Sequence, residues 1–188
     1  MTPRQLASLA LLAATPLLQS CFPIAVTGVA AGTLMVADRR TPGVYVEDET
    51  IELKSIGRLH DISNAHVTVT SFNRRALITG EVYDEKVRTQ VLEAVRGIEN
   101  VREAIDETQI SGASSLASRG NDALITTNVK ARMLDNKGKF QVNQIKVVTE
   151  AGVVYLMGLV TQSEGDGAAD IARTTSGVKS VVKVFEYL

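Results

Sequence analysis

The stretch Ala76-Leu77-Ile78-Thr79-Gly80-Glu81-Val82 is matched, 78 residues further on, by Val154-Tyr155-Leu156-Met157-Gly158-Leu159-Val160. Both are near-continuous apolar runs with a glycine at the same place. The same offset lays Val67-Thr68-Val69 over Ile145-Lys146-Val147. Downstream, Val91, Gly97, Ile98 and Val101 fall on Ile171, Gly177, Val178 and Val181 at an offset of 80, which implies two extra residues within Ser163–Ala169. Upstream, Ile51 and Arg58 fall on Ile125 and Arg132 at an offset of 74, which implies four extra residues around Asn136-Lys137-Gly138-Lys139. Matches in the same order, with slips in plausible loops, show one unit written twice.

Each copy predicts the same elements. A first helix covers Thr50–His60 and Asp122–Leu134. Ile125, Val129 and Met133 recur on one helical face, and Asn121 or Asp122 is a suitable N-cap. Two strands follow, Val67–Val69 then Ala76–Val82, and Ile145–Val147 then Val153–Val160, joined by turns at Phe72-Asn73-Arg74 and Glu150-Ala151-Gly152. The apolar second strands predict burial on both faces. Gly80 and Gly158 mark a bulge or a close approach of a helix. Asp84 opens a second helix in copy one. Thr161-Gln162-Ser163-Glu164 is a capping box in copy two. Gly97 and Gly177 are expected as left-handed C-caps. Val101–Gln109 and Val178–Tyr187 close the units as strands parallel to the second strand. The fold class is α+β: two tandem αββαβ units, each a three-stranded mixed sheet packed with two helices.

Ahead of the repeats, Arg4 and the apolar run Leu6–Ala14 lead to Leu18-Gln19-Ser20-Cys21, which has the form of a bacterial lipobox. The chain's single Cys would take a diacylglycerol through a thioether. Cleavage before it would free an amino group for further acylation. The other readings of Cys21 are a buried structural thiol or an uncleaved anchor. Phe22 at the next position, by resemblance to enterobacterial lipoproteins, points to the outer membrane. Residues 22–36 are apolar but too short to span a bilayer, and either lie at its interface or pack on the body. Asp38-Arg39-Arg40-Thr41-Pro42-Gly43 reads as a turn and boundary. The organisation expected is a signal peptide over 1–20, a lipidated linker over 21–46, and the two repeats over 47–111 and 120–188.

The glycine that ends each second strand, the helix after it and the steps Gly97-Ile98-Glu99-Asn100-Val101 and Gly177-Val178-Lys179-Ser180-Val181 resemble the BON domain. The runs Asn121–Lys130 and Leu156–Thr161 carry the resemblance most specifically. With a lipobox in front, the chain resembles the dual BON-domain outer-membrane lipoproteins. That resemblance implies an outer-membrane protein on the periplasmic face that supports envelope integrity. It also implies binding of anionic phospholipid, such as phosphatidylglycerol or cardiolipin, through the first helix of the second domain. Ser55 stands where copy two has Val129, so the implication is weaker for copy one.

Charge separates the copies. Residues 44–112 hold 8 Lys and Arg against 13 Asp and Glu, while residues 113–188 hold 9 against 7. On the first helix of copy two, Leu124, Thr127, Ala131 and Leu134 form a partly apolar stripe beside Asn128, Lys130 and Arg132, with Lys137 and Lys139 following. An apolar stripe with a cationic rim suits an anionic bilayer. Taken without the resemblance, the same stripe reads as a solvated charged helix with Leu124 and Leu134 in the core. The alternative function is a scaffold that recruits an envelope protein partner through exposed sheet edges or the acidic first copy. A net charge of −1 and 4% aromatic residues argue against nucleic acid. His60, Asp61 and His66 match no common zinc spacing, and no nucleophile elbow occurs. Neither a cofactor nor an enzymatic activity is expected.

Overall fold

The computed structural model describes residues 38–136 and 138–188. The expectations at Cys21, over 1–20 and 22–36, and at Lys137 lie outside the described residues.

Repeat one runs α1 (Pro42–His60), β1 (Ala65–Phe72), β2 (Arg75–Val82), α2 (Glu85–Arg96) and β3 (Glu103–Ile110). Repeat two runs α3 (Leu116–Leu134), a 3-10 turn (Val142–Gln144), β4 (Ile145–Glu150), β5 (Val153–Val160), α4 (Gln162–Arg173) and β6 (Ser180–Tyr187). In each sheet the second strand is central, antiparallel to the first and parallel to the third.

Both first helices start earlier than their apolar periodicity suggests. Thr41 caps α1, accepting from the Val44 amide, with Pro42 at the first helical position. Proline fits there because its φ is already helical and no N–H is needed. Ser115 caps α3 and accepts from the Ser118 amide. Asn121 and Asp122 therefore lie inside a helix and cap nothing at its start. Asp122 is buried and accepts the Ala151 and Gly152 amides at 2.9 and 2.8 Å. Asp48 does the same in repeat one, accepting the Asn73 and Arg74 amides and the Ser71 hydroxyl, and it pairs with Arg40. The turns need this support. Asn73, Arg74 and Ala151 hold positive φ without being glycine, which costs about 1 kcal/mol each at Arg74 and Ala151 and less at the asparagine.

The second helices agree with their signals: Asp84 caps α2, and Thr161 and Glu164 form the capping box of α4. The expected offset of 80 past these helices is overturned. The bond from the Val101 amide to Ile98 O is repeated from Val178 to Thr175 O, an offset of 77. Copy two therefore gains no residue in this region and lacks one ahead of the helix, where repeat one has Tyr83 between β2 and the Asp84 cap. Gly97 is right-handed at φ −77° and corresponds to Thr174. The left-handed position is shared by Asn100 and Gly177, at φ 68° and 88°. Glycine identity alone misleads here because asparagine tolerates the same conformation.

Gly80 and Gly158 sit in unbulged ladders; backbone of β1 approaches Gly80, and backbone at the end of the 3-10 turn approaches Gly158. A Cβ would lie 2.1 Å from His66 O at Gly80 and 2.5 Å from Gln144 O at Gly158.

Each repeat has a core between its helices and sheet, around Ile51, Ile78 and Val91 in one and Ile125, Leu156 and Ala169 in the other. The longer connector of repeat two is held by Asn136, and its Phe140 enters that core. The opposite faces of the sheets meet in a third cluster of Phe72, Leu77, Tyr155, Met157 and Val184. This explains why β2 and β5 are apolar on both faces. Burial, together with the Glu107 and Glu150 carboxylates, pushes the Tyr155 hydroxyl up to about 12. Polar contacts edge this junction: Lys146 with Glu52 at 2.6 Å, Asn73 with Glu186, Arg75 with Val184 O, and Arg102 with Glu186. Arg39, just before α1, forks onto Glu164 in repeat two at 2.7 and 2.8 Å. The guanidinium holds the Glu164 carboxyl at about 2.

Candidate membrane-contact site

Helix α3 has two distinct faces. Ile125, Val129 and Met133 are 2% exposed or less and point into the core. The outward face carries Leu116, Leu124 and Leu134, at 83%, 65% and 76% exposed. Thr127 and Ala131 lie between the leucines on that face and are exposed. Thr127 places no free hydroxyl hydrogen there, because Oγ1 donates to Ala123 O in its own helix. The outward surface is thus an apolar ridge of small residues punctuated by leucines. The reading of Leu124 and Leu134 as core residues is excluded by their exposure.

The cations divide into two groups. Lys130 is exposed beside the ridge, as are Asn128 and, beyond the helix, Lys139. Arg132 is drawn the other way. Its guanidinium donates to Ile171 O at 3.1 Å, Thr175 Oγ1 at 2.8 Å and Thr174 Oγ1 at 3.0 Å. It holds the carboxyl end of α4, where positive charge is favoured. Arg58 approaches Ala94 O in repeat one, at 3.5 Å. The repeated Arg58/Arg132 pair was a sequence signal of this structural clamp. Leu116 was missed because the helix was expected to begin at Asp122, six residues after it.

His60 Nδ1 lies 3.1 Å from Asp61 Oδ1, and both side chains are exposed. Among the described residues no group of three or more His, Cys, Asp or Glu side chains is arranged to hold a metal ion.

Two αββαβ units joined through their sheets, with an apolar helix face turned outward, define a tandem α+β module. The BON domain family model matches residues 48–112 and 121–188. The chain is 37% identical over 182 residues to the outer membrane lipoprotein DolP of Haemophilus influenzae, covering 95% of this chain and 94% of that one. It is 28% identical to the 21 kDa hemolysin of Actinobacillus pleuropneumoniae, over 80% of this chain and 79% of that protein. It is 27% identical to the osmotically-inducible protein Y of Escherichia coli, over 82% and 80%. The chain belongs to the BON family, as an outer-membrane lipoprotein with two BON domains of the DolP type. No helix among the described residues is long and apolar enough to cross a membrane.

Proposed function

We propose that acylated Cys21 anchors this protein at the periplasmic face of the outer membrane. From there the outward face of α3 binds anionic phospholipid and supports outer-membrane integrity. The observation that carries the reading is the exposure of Leu116, Leu124 and Leu134 on one helical face whose opposite face is fully buried. A leucine submerged in the acyl boundary gains about 1.5–3 kcal/mol. Lys130 and Lys139 beside an anionic leaflet add about 1 kcal/mol each. Arg132 contributes by fixing α4 against α3, and Lys137 is proposed as a further headgroup contact. Tethering raises the local concentration, so a weak headgroup affinity suffices.

The test is flotation of the full chain carrying Cys21→Ser with vesicles of phosphatidylglycerol or cardiolipin in phosphatidylcholine. Binding should rise with anionic content and fall with salt. Equal flotation with pure phosphatidylcholine, or none with either anionic lipid, overturns the reading. A second role, recruitment of a periplasmic protein, is favoured by the unpaired edge of β1.

A further inference from the structure

The outer edge of β1 carries backbone groups with no partner among the described residues. The Tyr83 amide donates to Asn64 O at 3.1 Å, so the alternation of the ladder turns residues 66, 68, 70 and 72 toward β2. Ala65, Val67, Val69 and Ser71 then face outward. At Ser71 both groups are satisfied: its amide donates to Glu52 Oε1 at 2.7 Å, and its carbonyl accepts from Lys146 Nζ at 3.2 Å. Ala65, Val67 and Val69 have no such partner among the described residues. Unpaired edges of this kind are templates for another strand.

Two clefts flank this edge, one on each side of the strand. Between β1 and α1 lies a cavity of about 530 Å³, lined on the helix side by Ile56 and Leu59 and closed at the Ser71 end by Glu52. On the other side lies a cavity of about 330 Å³, lined by His66, Thr68, Glu81, Glu150 and Arg119. Glu81 is 8% exposed, and its carboxylate makes no hydrogen bond or ion pair among the described residues. Burial, then Glu81 and Asp122, holds the Glu150 carboxyl above its ordinary value, and Arg119 opposes this. Arg119 is itself held by Ser114. The cleft is therefore short of positive charge, while the first cleft is more apolar than polar, with Glu52, Ser55 and His60 beside Ile56, Leu59 and Val67.

A strand laid along β1 would send successive side chains alternately into these two clefts. We propose that the β1 edge is a docking site for an extended segment of a partner protein, apolar at every second residue and Lys or Arg between. Five residues, about 16 Å of strand, span Ala65–Val69. The backbone supplies the affinity and the two clefts supply the choice of sequence. This goes beyond the phospholipid reading and does not rest on it, since α3 takes no part.

The probe is the blocked peptide Thr-Val-Lys-Val-Lys-Val-Thr, titrated into the full chain carrying Cys21→Ser and followed by NMR. Amide exchange at Val67 and Val69 should slow at least tenfold, with methyl shifts at Ile56 and Leu59. N-methylation of one alternate set of peptide amides should abolish binding, and of the other set should leave it within twofold. Replacing both lysines by glutamate, or Glu81→Gln in the protein, should weaken binding at least tenfold. Ile56→Glu should block it while anionic-vesicle flotation is unchanged. The proposal is overturned by the absence of saturable binding below about 1 mM. It is equally overturned by indifference to both N-methylated sets, by shifts centred on α3, or by dimerisation of the chain through β1.

Discussion

Replacing Leu124 and Leu134 together by glutamate tests the α3 face without touching the core. The two side chains are 65% and 76% exposed, so most of each is available to a bilayer. Scaling a full leucine burial of about 1.5–3 kcal/mol by those fractions gives about 1–2 kcal/mol each. Two new carboxylates near an anionic surface add about 1 kcal/mol of repulsion apiece. The sum is about 4–6 kcal/mol, and each 1.4 kcal/mol is about tenfold in affinity. Binding to phosphatidylglycerol vesicles should therefore fall by at least about 100-fold and vanish in a flotation assay. Glutamate is a good helix former, and substitutions at exposed sites shift stability by about 0.5 kcal/mol or less. The thermal midpoint and the circular dichroism spectrum should stay as in the unsubstituted chain. Retained binding in the folded double variant would refute the reasoning. So would a loss of binding that follows only from unfolding.

Three further outcomes are expected. Asp122→Ala strands the Ala151 and Gly152 amides in a buried turn; with two charge-assisted bonds lost, chemical denaturation should show a loss of about 2–4 kcal/mol. Glu164 has its carboxyl lowered to about 2 by Arg39. Its stabilisation is complete above the unfolded carboxylate value, about 4.3, and is lost as pH falls from there through about 2. On the order of 1–2 kcal/mol should disappear across that window, and Glu164→Gln should flatten this part of a plot of thermal midpoint against pH. Tyr155, pushed up to about 12 by burial and the Glu107 and Glu150 carboxylates, should resist ionisation in a spectrophotometric base titration well after exposed tyrosines have titrated; its titration near 10 in the folded chain would contradict the packing of the two sheets.

Local patterns read well from the sequence, and contacts between distant residues did not. The duplicated strands, the buried face Ile125–Val129–Met133 and the Thr161–Glu164 capping box depend on near neighbours, and periodicity reports them directly. Asp122 was misread because an aspartate before an apolar run has the same appearance whether it caps a helix or a turn about 30 residues away. The offset past the second helices failed because two glycines were matched by identity, whereas the shared feature is the positive φ of Asn100 and Gly177. The double-sided burial of β2 and β5 was legible, but not that each sheet covers the other, since apolar faces do not name their partners. At the candidate site the leucine stripe was legible from helical spacing. Arg132 was grouped with the other cations because charge along a helix does not show direction, and Leu116 was lost with the first two turns of α3.

The most direct measurement of the central claim is an NMR titration of the full chain carrying Cys21→Ser with phosphatidylglycerol micelles, with amide shifts followed residue by residue. The account predicts perturbations confined to the outward residues of α3, from Leu116 through Leu124, Thr127 and Ala131 to Leu134, together with Lys130 and Lys139. Shifts that centre on repeat one, or that scatter over both repeats while α3 stays unperturbed, would contradict it.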